Sequence, residues 1–423
     1  MSQAQPAPAP AAPTTVATVG KPFPEVAPKG FEDVPSLLNR WQVAAVAVCL
    51  IFGVASAALQ LLGWQANGEA ADNTEQLVRV QEVQSSLLRA DALATNAFLV
   101  GGLEPAEQRA EYDAALDDVL RGITDAAEAQ PADREALAAL NTEVATYASA
   151  IAQARDNNRQ GFPIGSEYLQ EAGRDLRAEA LPIIEELVSA NSDRAEDEMG
   201  GQHPIWLFWV GILALAALWW INRMIAKRFH RRFNVGLAAA AIAVAVLTVL
   251  AVVLAQGQSN DNDELVDGSY QDAADGAAVR TLANDAKANE SLLLVKRGSG
   301  QAYQDLWVEA AGKVEDLATG ETLSAWNRYA TLHGEIVELD AGGDWSGAVE
   351  AATTRDEDGA SAALDAVDAS AQADVDQAAE ATTDTLRSGR TYALVLAIAT
   401  LLLGLVAAAL CAWGINQRRK EYS

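Results

Sequence analysis

Four apolar runs, 43–62, 205–221, 235–255 and 392–413, divide an otherwise polar chain of 423 residues. Each can cross a hydrocarbon core of ~30 Å as a helix rising 1.5 Å per residue. None holds a charged residue. Between the runs, apolar positions recur three and four apart, the spacing of one buried helix face. In the first long segment these are Tyr112, Leu116, Val119, Leu120 and Ile123, then Leu137, Leu140, Val144, Tyr147 and Ile151, then Leu169, Leu176, Ile183 and Leu187. The second segment gives Trp307, Val314 and Leu317, then Trp326, Tyr329, Leu332, Ile336 and Leu339, then Leu364, Val367, Ala371, Val375 and Leu386. No alternation of period two appears. The expectation is an all-α integral membrane protein with four transmembrane helices and two tandem extracytoplasmic four-helix bundles continuous with them.

Breakers place the boundaries. In the first segment Gly101-Gly102 ends the first helix, Pro105 and Pro131 open the next two, and a turn at 161–165 precedes a fourth helix with Ser166 as its N-cap. Pro182 predicts a kink in that helix, and Gly200-Gly201 with Pro204 a break before the second span. In the second segment the first helix runs from the third span to about Arg297, and Gly298-Ser299-Gly300 turns the chain. Residues 340–344 break it again, before a short helix from Trp345 and a long return helix. The division is 1–40 tail, 41–63 first span, 64–203 first bundle, 204–222 second span, 223–233 loop, 234–255 third span, 256–390 second bundle, 391–414 fourth span and 415–423 C-terminus. The tail holds 8 of the 13 prolines and reads as disordered. Its last part, 31–40, suits a short interfacial or partner-binding helix.

Charge orients the chain. Residues 64–204 carry 27 Asp+Glu against 10 Arg, and residues 256–390 carry 27 against 9 Lys+Arg. The remaining basic residues sit in the short pieces: Lys21, Lys29 and Arg40; Arg223, Lys227, Arg228, Arg231 and Arg232; Arg418, Arg419 and Lys420. The positive-inside rule puts all three pieces, and so both termini, in the cytoplasm of a plasma-membrane protein. The acidic segments then lie outside, and their charge argues against nucleic acid as a partner.

The chemistry-bearing residues are few. Cys49 and Cys411 each lie inside a span, which makes a disulfide unexpected. Of three histidines, His203 is at a membrane boundary, His230 in the loop and His333 alone on a helix. No metal spacing, nucleophile elbow, P-loop or dinucleotide fingerprint appears, so neither an enzyme nor a cofactor is expected. Asp356-Glu357-Asp358 lacks the pattern of a calcium loop and suits a solubility role. Spans without charged groups disfavour a transporter or channel. Tryptophans 206, 209, 219 and 220 flank the second span as interfacial anchors.

A local match suggests duplication. The stretch 91–100, DALATNAFLV, aligns with 285–294, DAKANESLLL, without gaps. Two readings of the matched residues stand. Asp91 with Asn96, and Asp285 with Asn289 and Glu290, form equivalent partner-docking or ligand surfaces, or they reflect shared ancestry and packing. Each segment resembles the four-helix-bundle sensor module of bacterial chemoreceptors in its membrane-continuous first helix, its Gly-marked turn, and its short helix opening with Asp344-Trp345-Ser346. Those modules leave a homodimer possible. No Arg cluster or aromatic pocket is evident in either segment, which weighs against direct ligand binding.

The whole plan of four spans, two outer helical domains, a Pro/Ala-rich tail and the stretch 90–104 resembles the GlnX-type four-span transducers of actinobacteria. That resemblance implies a non-enzymatic relay. An extracytoplasmic solute-binding lipoprotein senses glutamate or aspartate, and the membrane protein passes its state to a cytoplasmic Ser/Thr kinase (protein kinase G). The basic loop, with Arg223, Lys227, Arg228, Arg231 and Arg232, is then the candidate inner partner surface, beside its role in fixing topology. The alternatives are a direct small-molecule chemosensor and a structural envelope scaffold.

Overall fold

The computed structural model describes residues 34–100, 104–160, 164–229, 234–356 and 358–420. The tail to residue 33, the Gly101-Gly102 end expected for the first helix, the turn at 161–163, loop residues 230–233, Glu357 and residues 421–423 lie outside them.

 

The first core is built by five helices. α1 (Val34–Leu99) runs 66 residues without a break, about 100 Å at 1.5 Å per residue. α2 (Ala106–Ala129), α3 (Arg134–Arg159), α4 (Ile164–Asp175) and α5 (Leu181–Met199) pack around its upper half. Their contact stripe holds Val83, Leu87, Tyr112, Val119, Leu140, Tyr147, Ile151, Leu176 and Ile184, all buried. This is the three-four pattern of the sequence turned inward. Two details differ from expectation. α4 starts at Ile164, which puts Ser166 inside its first turn and not at the cap. At Pro182, where a kink was expected, the helix continues through a π-helical turn at Leu176–Ala180, with the Leu181 N–H bonded to the Leu176 carbonyl. Pro182 has no N–H to continue the ordinary ladder, and the wider turn absorbs that loss.

The second core is built by α8 (Ser269–Val295), α9 (Gln301–Leu317), α10 (Gly320–Ala341), α11 (Trp345–Thr353) and α12 (Ala360–Lys420). Trp307, Val314, Trp326, Tyr329, Ile336 and Val367 fill it. Gly343, at φ +87°, takes the left-handed conformation that ends α10, and Asp344 then caps α11 by accepting from the Gly347 N–H at 3.0 Å.

Among the described residues, four helices are long and apolar enough to cross a membrane, as expected of a multi-pass membrane protein. The spans belong to α1, α6 (Pro204–Phe229), α7 (Val235–Val266) and α12. Small residues let them approach closely. A Cβ on Gly53 would lie 3.3 Å from the Cα of Gly404, and one on Gly236 would lie 2.4 Å from the Leu410 carbonyl oxygen. Asn234 caps α7 and also donates to the Gly414 carbonyl at 3.1 Å. Ile51, Leu213, Val253 and Val395 point outward, as lipid-facing side chains do.

Continuity between bundle and span is unequal. α1 and α12 pass from core to span unbroken, packed on each other. The other two connections are interrupted, α5 from α6 at 200–203 and α7 from α8 at Asp267-Gly268. The second break lies within what the sequence suggested was one helix. Cys49 and Cys411 face each other across the α1–α12 contact with their sulfurs 3.7 Å apart, both as free thiols.

Candidate functional site

The two cores meet along a polar seam formed by α1, α4, α5, α8 and α12. Its centre is Arg177, carried on the π-helical turn. One arm, Nη1, donates to Asp91 Oδ2 at 3.0 Å, and the other, Nη2, to Asp285 Oδ1 at 2.5 Å. Tyr147 donates to the second oxygen of Asp91 at 3.0 Å. Burial alone would lower the Arg177 pKa, but the carboxylates of Asp91 and Asp285 hold it above its ordinary value. Burial, then the neighbouring Asp91 charge, pushes the Tyr147 hydroxyl well up, so it acts as a donor.

Further ties follow the seam. Arg280 binds both Glu82 and Asp368, and Arg89 binds Asp365 and Asp368 at 2.9 and 3.1 Å. Nearer the membrane, Tyr270 donates to Ser192 Oγ at 2.9 Å. At the membrane boundary Asn262 donates to Asn67 Oδ1 at 3.2 Å and to the Met199 carbonyl at 2.8 Å, while Gln202 donates to the same Asn67 oxygen at 2.9 Å. Buried amides there join α1, α7 and the α5–α6 connection.

The matched sequence residues sort unequally around this seam. Asp91, Asn96, Asn289 and Glu290 are buried, while Asp285 is partly exposed. Asp91 and Asp285 share Arg177, and Asn289 donates to Asp285 Oδ2 at 3.1 Å. Asn96 borders a small cavity between the cores with Arg89, Asn284, Lys287 and Ser361. Glu290 turns the other way, into the second core. There it accepts from Lys287 at 2.6 Å and Tyr329 at 3.2 Å and pairs with His333 Nδ1 at 2.8 Å. Burial would raise the Glu290 pKa, but the Lys287 ammonium and the His333 hydrogen bond bring it down to about 2. His333, which looks solitary in the sequence, stacks on Trp307 with ring centroids 3.6 Å apart. Among the described residues, no three His, Cys, Asp or Glu side chains gather as a metal site.

On the opposite side of the membrane, the Arg223 guanidinium lies 5.5 Å from the Trp219 ring centre, and Lys227 is exposed. The Arg228 side chain and residues Arg231 and Arg232 fall outside the described set.

Arg177 escapes sequence reading because nothing in its own neighbourhood marks it. The available signal was indirect: two matched acids, Asp91 and Asp285, need a cation if they are buried together.

No curated protein and no solved structure matches the chain. Residues 66–200 match the model of a family described as an actinobacterial sensor domain. That region is the upper part of α1 together with α2 to α5, so the match falls on the first helical core of a multi-pass membrane protein.

Proposed function

We propose that this protein is a non-enzymatic transmembrane signal transducer. Its two helical cores lie outside the plasma membrane and both termini inside. It receives a glutamate or aspartate signal from an extracytoplasmic solute-binding lipoprotein and relays it to a cytoplasmic Ser/Thr kinase. The observation that carries the relay is the pair α1 and α12: each is one rigid helix from core to span, and they pack on each other. A partner that shifts the cores against each other along the seam slides these two helices past one another. Helix shifts of about 1–2 Å are the usual scale of such switching. The interruptions at 200–203 and at Asp267-Gly268 leave α6 and α7 freer to stay in place. In this reading the shift reaches the kinase through the α1 and α12 ends, with Arg223, Lys227, Arg228, Arg231 and Arg232 as a fixed basic surface beside them. The sensor-domain match over residues 66–200 supports a sensing role for the first core.

The test is affinity purification of the full chain from native membranes in mild detergent, with and without aspartate and glutamate, followed by mass spectrometry. Recovery of a solute-binding lipoprotein and a Ser/Thr kinase, with amounts that respond to the amino acid, is the expected result. Envelope or division proteins in their place would replace the relay with a scaffold.

A further inference from the structure

The end of the first core farthest from the membrane holds a cavity of about 330 Å³, lined by Phe98, Glu104, Arg109, Arg155, Asn158 and Arg159 among others. This size is at the lower end of the ~300–1,000 Å³ usual for ligand pockets. The sequence shows no Arg cluster because these arginines come from two helices: Arg109 from the first turn of α2, Arg155 and Arg159 from the last turns of α3. The fold brings them to one opening.

Arg155 is the distinctive member. Its side chain is only 9 % exposed, yet its Nε and Nη2 make no hydrogen bond of good geometry. Nη2 lies 2.9 Å from Glu104 Oε1, which is itself without a well-aligned donor. The guanidinium is held over the Tyr112 ring, 3.9 Å from its centre, a stacking that fixes the plane of the fork. Buried donors are normally satisfied. The N-terminus of α2, where Ala106 lines the cavity, has no capping side chain, so its first N–H groups add a partial positive charge.

We infer that this cavity binds a small zwitterion of the α-amino-acid type. Its carboxylate would take the more exposed Arg109 and Arg159 guanidiniums, with the buried Arg155–Glu104 pair as the charged floor of the cavity, and its ammonium would face Glu104 and Asp156. The charges lining the cavity favour this class: Arg109, Arg155 and Arg159 stand with Glu104 and Asp156, a mixed set that suits a ligand carrying both signs better than a polyanion. The inference is independent of the lipoprotein relay, because it concerns the purified chain alone.

The test is binding of L-aspartate, glycine, succinate and inorganic phosphate to the detergent-solubilised full chain by isothermal titration calorimetry. At least one of the two amino acids should bind more tightly than succinate and phosphate. Arg159→Ala, at an exposed position, should weaken it by about tenfold or more, the loss of a charge-assisted hydrogen bond. Glu104→Gln should weaken the amino acid and not succinate. Arg155→Met is a second probe, of the charged floor, checked for folding by circular dichroism. Absence of binding by both amino acids, equal binding of phosphate, or binding unchanged in Arg159→Ala and Glu104→Gln would overturn the assignment.

Discussion

Asp91 and Asp285 are 194 positions apart in the chain and are held by the two arms of one guanidinium, that of Arg177. The two helical cores are therefore joined by a charged contact as well as by packing. Asp91 is almost fully buried, and removal of its cation leaves a carboxylate in a poor environment. Arg177→Ala should destabilise the first core by about 3 kcal/mol, the lower end of what breaking a buried pair costs, because Tyr147 still donates to Asp91. Asp91→Asn in the same background should add less than it costs alone. Chemical unfolding of the four members of this cycle, followed by circular dichroism, measures both effects.

The Glu290 cluster predicts acid sensitivity in the second core. Its folded pKa is lowered to about 2, against roughly 4.3 for a free Glu. A carboxylate lowered on folding contributes stability that is complete above its unfolded pKa and is lost as pH falls through the folded one. The contribution is on the order of 3 kcal/mol and should disappear between about pH 5 and pH 2. Glu290→Gln should flatten this part of the stability profile and lower stability at neutral pH, since it leaves Lys287 buried with a weaker partner. Trp307, stacked on His333 beside the cluster, supplies the fluorescence signal.

Much of this architecture was legible in the sequence. The four spans follow from apolar runs with no charge, and Leu137, Leu140, Val144, Tyr147 and Ile151 show their common face by spacing alone. Asp344 as a cap and Gly343 as a turn are local facts of backbone chemistry. What was not legible depends on contacts between distant segments. The α7–α8 break at Gly268 lies among ordinary polar residues, Arg177 finds its acids on two other helices, and Arg109 meets Arg155 only after α2 and α3 fold back. Periodicity reports which face of a helix is buried, not which helix covers it.

The meeting of Cys49 and Cys411 gives a direct test of the α1–α12 pairing inside the membrane. Their sulfurs are 3.7 Å apart, against about 2.05 Å in a disulfide, so a small movement suffices for bonding. Mild oxidation with copper phenanthroline should link the first and last spans. After proteolytic cleavage between them, the fragments should stay together on a non-reducing gel and separate on a reducing one. Cys49→Ser should abolish the link.

The Gly53–Gly404 approach predicts how tightly that pairing is tuned. A side chain on Gly404 would place its Cβ 2.9 Å from the Cα of Gly53, a backbone atom that cannot turn aside. Gly404→Leu should therefore separate α1 from α12 at this level, while truncation of the exposed Leu402 to Ala should not. Oxidative linking of Cys49 to Cys411, about two helical turns away along α12, reads the separation: its rate should fall several-fold in Gly404→Leu and stay unchanged in Leu402→Ala. If the relay works through these two helices, Gly404→Leu should also uncouple recovery of the kinase from added amino acid while leaving recovery of the lipoprotein intact. Normal coupling despite slowed linking would place the relay elsewhere, in α6 and α7 or in the basic loop between them.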